Sequence, residues 1–177
     1  MIIRSFLFGL VGLVLSTGIA TAHEYTIRIT NLMSEELLAP ILITSVRKDK
    51  HIFDGSYVTP EAEAQILTGD PGMLAGRIGK KAMVVHGSDG PPGVLLAPGK
   101  SVEITVPARS RGQGIRLIAM VAPTMKADHF VSAVINPANG LAATMDRYDI
   151  GYDEGSKSVS HVSSGAARIE VIGVMDK

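Results

Sequence analysis

Apolar and polar residues alternate along several short segments of the chain, beginning with residues 24–31 (EYTIRITN). There Tyr25, Ile27 and Ile29 fall on one side of an extended chain, and polar residues fall on the other. This period of two predicts a half-buried antiparallel strand. Further strands, alternating or continuously apolar, are predicted over residues 37–46, 82–86, 102–106, 115–121, 130–135, 141–148 and 167–174. Pro40 interrupts the second strand and indicates a sheet edge or a bend there.

Residues 59–80 have a different pattern, which predicts one or two short helices. Thr59 can cap a helix, Pro60 suits its first position, and two glutamates follow in the favourable first turn. The sequence GDPG at residues 69–72 breaks the pattern. About eight strands with Gly/Pro turns predict an all-β fold, an antiparallel β-sandwich with a short helical insertion around residues 60–78.

Residues 1–22 have the pattern of a secretory signal. Arg4 precedes an uncharged apolar run, which ends at residues 20–22 (ATA), the small-x-small pattern of a cleavage site. The strongly apolar part ends near Leu15, whereas a permanent membrane helix needs roughly 20 apolar residues. We therefore predict a cleaved signal peptide, a periplasmic or secreted location, one domain over residues 23–177, and no stable membrane span after cleavage.

Charge and composition narrow the classes of function. One of the 17 basic residues lies in residues 1–22, so the remaining chain is balanced to within one charge. This balance gives no reason to expect a nucleic-acid partner. The absence of cysteine excludes disulfides and thiolate metal sites. The sequence also has no Gly-x-Ser-x-Gly or His-Glu-x-x-His motif, and we predict that the protein is not an enzyme.

An acidic, glycine-rich segment at residues 149–155 (DIGYDEG) offers the oxygen ligands that a hard cation prefers. Asp149, Asp153 and Glu154 supply carboxylates, and Asp128 from a neighbouring loop would complete the ligand shell. The segment is not an EF-hand, because Lys157 stands where a bidentate glutamate belongs. A solvated acidic turn without a metal is the alternative interpretation.

Four blocks of the sequence together resemble the spondin N-terminal domain family in its cysteine-free bacterial form. They are YTIRITNLMSEELLAPILI, LLAPGKSVEITV, IRLIAMVAPTMKADHFVSAVINP and RYDIGYDEGS, in this order along nearly the whole chain after residue 22. The resemblance implies a C2-like β-sandwich with a calcium site formed by loops at one end. It also implies a role in binding or adhesion.

Matched motif to motif, the resemblance implies calcium ligands at Asp128 (in ADHF), Asp149 and Asp153 (both in YDIGYDEG). The chain differs from the family at Met125 and Lys126, where polar Asn or Asp is usual. The segment after residue 157 is also shorter than usual and lacks the His-rich stretch of many bacterial members. Both differences concern the metal site more than the fold.

Two other candidate sites have simpler explanations. Cleavage after residue 22 would expose His23 as a terminal amine and imidazole that could chelate copper with a second histidine. The candidate second ligands are His51, His86, His129 and His161. Many exported proteins begin with histidine by chance, and no copper motif accompanies this one. A basic cluster could bind anionic glycan but is more often a solvated hairpin turn; its members are Arg109, Arg111 and Arg116.

From the sequence we therefore expect an exported binding or adhesion module with calcium as a possible cofactor. Its expected partner is a protein or glycan of the envelope or the extracellular space. A copper-handling protein that uses His23 and a ligand-free structural protein of the envelope are the alternatives.

Overall fold

The computed structural model describes residues 23–108, 113–122, 128–138 and 140–176. The predicted signal peptide lies outside these ranges, as do Arg109, Arg111, Met125 and Lys126. The described strands are β1 (His23–Asn31), β2 (Leu37–Leu38), β3 (Ile41–Ser45), β4 (Phe53–Asp54), β5 (Tyr57–Val58), β6 (Met83–Val85), β7 (Ser101–Ala108), β8 (Ile115–Ala122), β9 (His129–Ile135), β10 (Ala142–Asp149) and β11 (Ser160–Asp176). A 3-10 helix (Val46–His51) and two α-helices, α1 (Pro60–Thr68) and α2 (Gly72–Ile78), complete the described elements.

Nine strands form one antiparallel sheet, in the order β6-β3-β8-β9-β10-β11-β1-β7 with the short β2 also paired to β8. The end strands β6 and β7 contact each other, so the sheet curls into a nearly closed, barrel-like sandwich. The hairpin of β4 and β5 stands apart from this sheet. The predicted all-β antiparallel fold is confirmed. The described strands exceed the eight expected because the strand predicted over residues 37–46 divides into β2 and β3, and because β4 and β5 have two residues each, too few to show a period.

The central strands are buried on both faces. In β3, Ile41 and Ile43 pack inside the barrel, while Leu42 packs outward against the helices. In β8, Leu117 and Ile118 divide in the same way between the inside and the outside. Because helices α1 and α2 cover this outer face, β3 and β8 need apolar residues at consecutive positions. This explains why they are continuous apolar runs in the sequence.

The helical insertion begins and ends as predicted. The Thr59 side chain accepts a hydrogen bond from the Ala62 N–H, and Pro60 is the first residue of α1. The helix ends at Gly69, whose left-handed φ of 77° favours glycine. Pro40 lies between β2 and β3 and marks a bend, since β3 has neighbours on both sides. None of the described helices is long and apolar enough to cross a membrane.

Candidate metal centre

The antiparallel pairing of β9 with β10 places His129 opposite Asp149, at the end of the barrel where β9 begins and β10 finishes. Asp128 directly precedes β9. His129 lies two residues before Val131, which is part of the core inside the barrel, so both point to the same face of the sheet. The pairing register therefore assembles the acidic and imidazole groups at one end of the barrel.

The intervening residues of the two strands face the other way. The rings of Phe130 and Tyr148 stack with their centroids 5.3 Å apart, on the outer face that the helices cover. This packing fixes the ends of β9 and β10 from outside the barrel. The polar residues on the inner face therefore stand on a rigid base.

Three side chains at this end form a group that could hold a metal ion. Asp128, His129 and Asp149 each offer one ligand atom, and these atoms lie within 4.8 Å of one another. Asp128 is fully buried, and the side chains of His129 and Asp149 are 12% and 13% exposed. Their proximity and burial distinguish them from the exposed carboxylates of an acidic surface turn.

The two carboxylates also organise the loop after β10. One oxygen of Asp128, Oδ2, accepts hydrogen bonds from the backbone N–H groups of Tyr152 (3.1 Å) and Asp153 (3.3 Å). Asp149 Oδ1 accepts from the N–H of Gly151, two residues further on. Three consecutive backbone N–H groups of the loop are thus hydrogen-bonded to the carboxylate pair.

The other oxygen of Asp128 has no such partner. Oδ1 is buried and makes no hydrogen bond within the described part of the chain. A buried polar atom without a partner costs about 1–3 kcal/mol, and more when it is charged. This oxygen is therefore a candidate ligand for a cation.

A series of polar contacts connects Glu36, through Arg147 and His129, to the Asp149 carboxylate. Arg147 forms a bidentate ion pair with Glu36, at 2.7 and 2.9 Å, and its Nε donates to His129 Nδ1 at 3.0 Å. The opposite ring nitrogen, Nε2, lies 3.4 Å from Asp149 Oδ2. Because a guanidinium can only donate, His129 Nδ1 must accept, and a neutral ring then carries its proton on Nε2.

This hydrogen-bond direction decides the role of His129. A ring that carries its proton on Nε2 points an N–H at Asp149 and cannot also bind a metal through that atom. Distance alone would make His129 a ligand, but the contact with Arg147 makes it an orienting donor to Asp149. In many metal sites one member of a histidine–carboxylate pair binds the metal and the other orients it through a hydrogen bond. Here Asp149 would be the ligand and His129 the orienting group.

The charges at the centre do not balance within the described residues. Arg147 and Glu36 neutralise each other, and a neutral His129 leaves Asp128 and Asp149 with two negative charges. No Lys or Arg side chain in the described ranges forms an ion pair with either carboxylate. A divalent cation would supply the missing charge.

The structure brings together two of the three residues predicted as ligands. Asp128 and Asp149 lie side by side, whereas Asp153 has an exposed side chain and contributes only its backbone N–H to the cluster. Asp153 as a ligand stays a prediction. Sequence reasoning missed Arg147 and Glu36, which are 111 positions apart in the chain and carry no motif.

The other candidate residues lie elsewhere in the structure. Arg116 pairs with Asp49 at 2.7 Å and lies over the Phe53 ring, so its guanidinium is occupied. His23 pairs with Asp176 at the final end of β11, whereas His161 lies at the beginning of that 17-residue strand. The group of possible metal ligands found in the described residues does not include His23.

A comparison of the chain with protein-family models and with curated proteins found no match. The resemblance to the spondin family therefore stays a prediction from the sequence.

Proposed function

We propose that the protein is an exported binding or adhesion module in which a calcium ion bridges Asp128 and Asp149 and orders the loop over residues 150–153. The observation that carries the proposal is the fully buried Asp128 carboxylate, whose Oδ1 lies beside a second carboxylate and has no hydrogen-bond partner among the described residues. The partner in this proposal is a protein or glycan of the envelope or the extracellular space.

The donor set favours calcium over a transition metal. Calcium binds oxygen atoms, and its shell is completed by backbone carbonyls and water. Zinc and copper favour imidazole nitrogen, but the nitrogen of His129 that faces the cluster carries a proton while Arg147 holds the ring. Both carboxylates also accept hydrogen bonds from backbone N–H groups, which orient carboxylate ligands around a metal.

Calcium would act on recognition through the loop that the carboxylates hold. Tyr152, which is 46% exposed, and the exposed Asp153 lie on this loop. Loops carried by a rigid sheet are common binding surfaces, and an open position on the ion can accept a carboxylate or hydroxyl from a partner. The ion would thus fix the loop and offer a contact.

The test is a calcium titration of the purified protein by calorimetry, with thermal melts in chelator, calcium, zinc and copper. We expect calcium alone to raise the melting temperature, since a ligand of the folded state stabilises it by mass action. Asp149→Asn should abolish the calcium shift, whereas Asp54→Asn, the same change at an exposed position, should preserve it.

The remaining outcomes separate the alternatives. Loss of the calcium shift in Asp153→Asn would add Asp153 to the ligand set that the sequence predicts. A shift with copper alone would favour the copper-handling protein, and no shift with any of the ions would contradict a metal-dependent module.

A further inference from the structure

A cavity of about 310 Å³ opens at the end of the barrel opposite the candidate metal centre. Ile115, which lines it, pairs with Ile135 at the final end of β9, six residues from His129. Six residues of strand span about 20 Å, so the cavity and the metal centre are separate sites. Its volume lies near the lower limit of small-molecule pockets, roughly 300–1,000 Å³.

The cavity lies where the two end strands of the sheet meet without pairing. The end strand β6 has three residues and β7 has eight, so β6 is too short to pair along β7. Met83 of β6 and Val106 and Pro107 of β7 line the cavity, so it lies between the two end strands. Mouths of β-barrels are common sites for small ligands.

The inner wall of the cavity is apolar. Ile43, Val106 and Ile115 belong to the core inside the barrel and form the nearly fully buried floor of the cavity, while the partly buried Met83 and the exposed Pro107 supply its accessible apolar surface. An apolar ligand group that entered here would leave water at a gain of about 25 cal/mol per Å² of buried surface. The wall therefore suits a hydrocarbon group.

The rim of the cavity is basic. Lys80 and Lys81 are consecutive, exposed and part of the cavity lining, which contains no acidic residue among the described side chains. Only Ala82 separates Lys81 from β6, so the two lysines lie beside the end strand that borders the cavity. Two ammonium groups beside an apolar wall complement a molecule with an anionic head and a hydrocarbon body.

We propose that this cavity binds a single-chain amphiphilic carboxylate, with its hydrocarbon tail against Met83 and Pro107, above the buried floor, and its carboxylate at Lys80 and Lys81. Lysine suits this position because its ammonium group on a flexible stem can reach a carboxylate while it stays hydrated. The site is independent of calcium and of the candidate metal centre.

The test is calorimetry of the purified protein with octanoate in chelator, compared with two partial probes. Acetate has the carboxylate without the tail, and octyltrimethylammonium has the tail with the opposite charge. We expect octanoate to bind and both partial probes to bind at least about tenfold more weakly, because each lacks one of the two complementary contacts. Equal binding of the cationic probe would overturn the proposal without any variant.

Three variants test whether octanoate binds in this cavity. Lys80→Glu with Lys81→Glu should weaken octanoate binding about tenfold or more, since two attractive charges become repulsive. Lys50→Glu with Lys100→Glu, the same change at two exposed lysines outside the cavity lining, should leave the affinity within about twofold. Met83→Trp should block the cavity and abolish binding. Absence of octanoate binding, or equal binding in all three variants, would overturn the proposal.

Discussion

Replacement of Asp128 by asparagine tests the metal centre most directly. The amide oxygen of the new side chain can still accept the hydrogen bonds from Tyr152 and Asp153, but one negative charge is removed. In chelator, two carboxylate oxygens within 4.8 Å repel each other. At an effective dielectric constant near 20, this repulsion is about 3.5 kcal/mol. An amide oxygen accepts the two N–H groups less strongly than a carboxylate does, at a cost of about 1 kcal/mol for each bond. The relief of the repulsion exceeds this cost, so Asp128→Asn should raise the free energy of unfolding in chelator by roughly 1–2 kcal/mol.

Calcium should reverse the order of stability. At a calcium concentration one hundred times the dissociation constant, the parent protein gains about 2.7 kcal/mol, while the variant lacks one of the two bridging carboxylates. For a domain of this length, each kcal/mol moves the melting temperature by about 2–4 °C. We therefore expect Asp128→Asn to melt a few degrees above the parent in chelator and a few degrees below it in calcium.

Thermal melts followed by circular dichroism, for both proteins in both buffers, measure this crossing. Asp54→Asn serves as the control, because it changes the same charge at an exposed hairpin and should track the parent in both buffers. The reasoning is refuted if calcium leaves the parent unchanged and Asp128→Asn is the less stable protein in both buffers. That result would mean that the Asp128 carboxylate is needed for the loop and not for a cation.

Three further predictions concern the fold and the loop. Leu117→Ala, in the fully buried inner core, should cost about 2–5 kcal/mol of unfolding free energy in urea denaturation, and a cost below about 1 would contradict the packing of β8. Thr59→Ala should cost about 1 kcal/mol in the same assay, because it removes the cap on the Ala62 N–H, and Thr59→Ser should restore most of it. Gly151→Ala should weaken calcium binding about tenfold in calorimetry, because Gly151 has a φ of 63° and a Cβ there would overlap Ser156 Oγ. Gly155→Ala is the control, because Gly155 also has a positive φ but has space for a Cβ.

Local signals predicted much of the fold. The alternation in residues 24–31 gave strand β1, and Thr59 with Pro60 gave the start of α1, because each depends on neighbours within a few positions. The continuous apolar runs of β3 and β8 predicted strands as well. They did not show that two helices cover the outer face, because burial on both sides depends on elements far along the chain.

The candidate site could be predicted only in part. Asp149 stands in an acidic, glycine-rich segment that indicates oxygen ligands, and Asp128 is added as a residue of a neighbouring loop and from the resemblance to the spondin family. His129 could have been added, because only six residues separate β9 from β10. Two consecutive strands joined by a short connection pair antiparallel, so the first residue of β9 lies opposite the last residue of β10. The hydrogen bond from Arg147 to that histidine has no equivalent sequence signal.

The sequence by itself determined the strand pattern, the helix caps and the acidic loop, since these follow from side-chain alternation, backbone preferences and residue type. Only the tertiary structure decided that Glu36 pairs with Arg147, that Arg147 orients the ring of His129, and that a buried oxygen of Asp128 has no hydrogen-bond partner in the described part of the chain. Hydrogen-bond direction and burial arise when distant strands meet in one register, and pairing between distant strands is not encoded in any single segment.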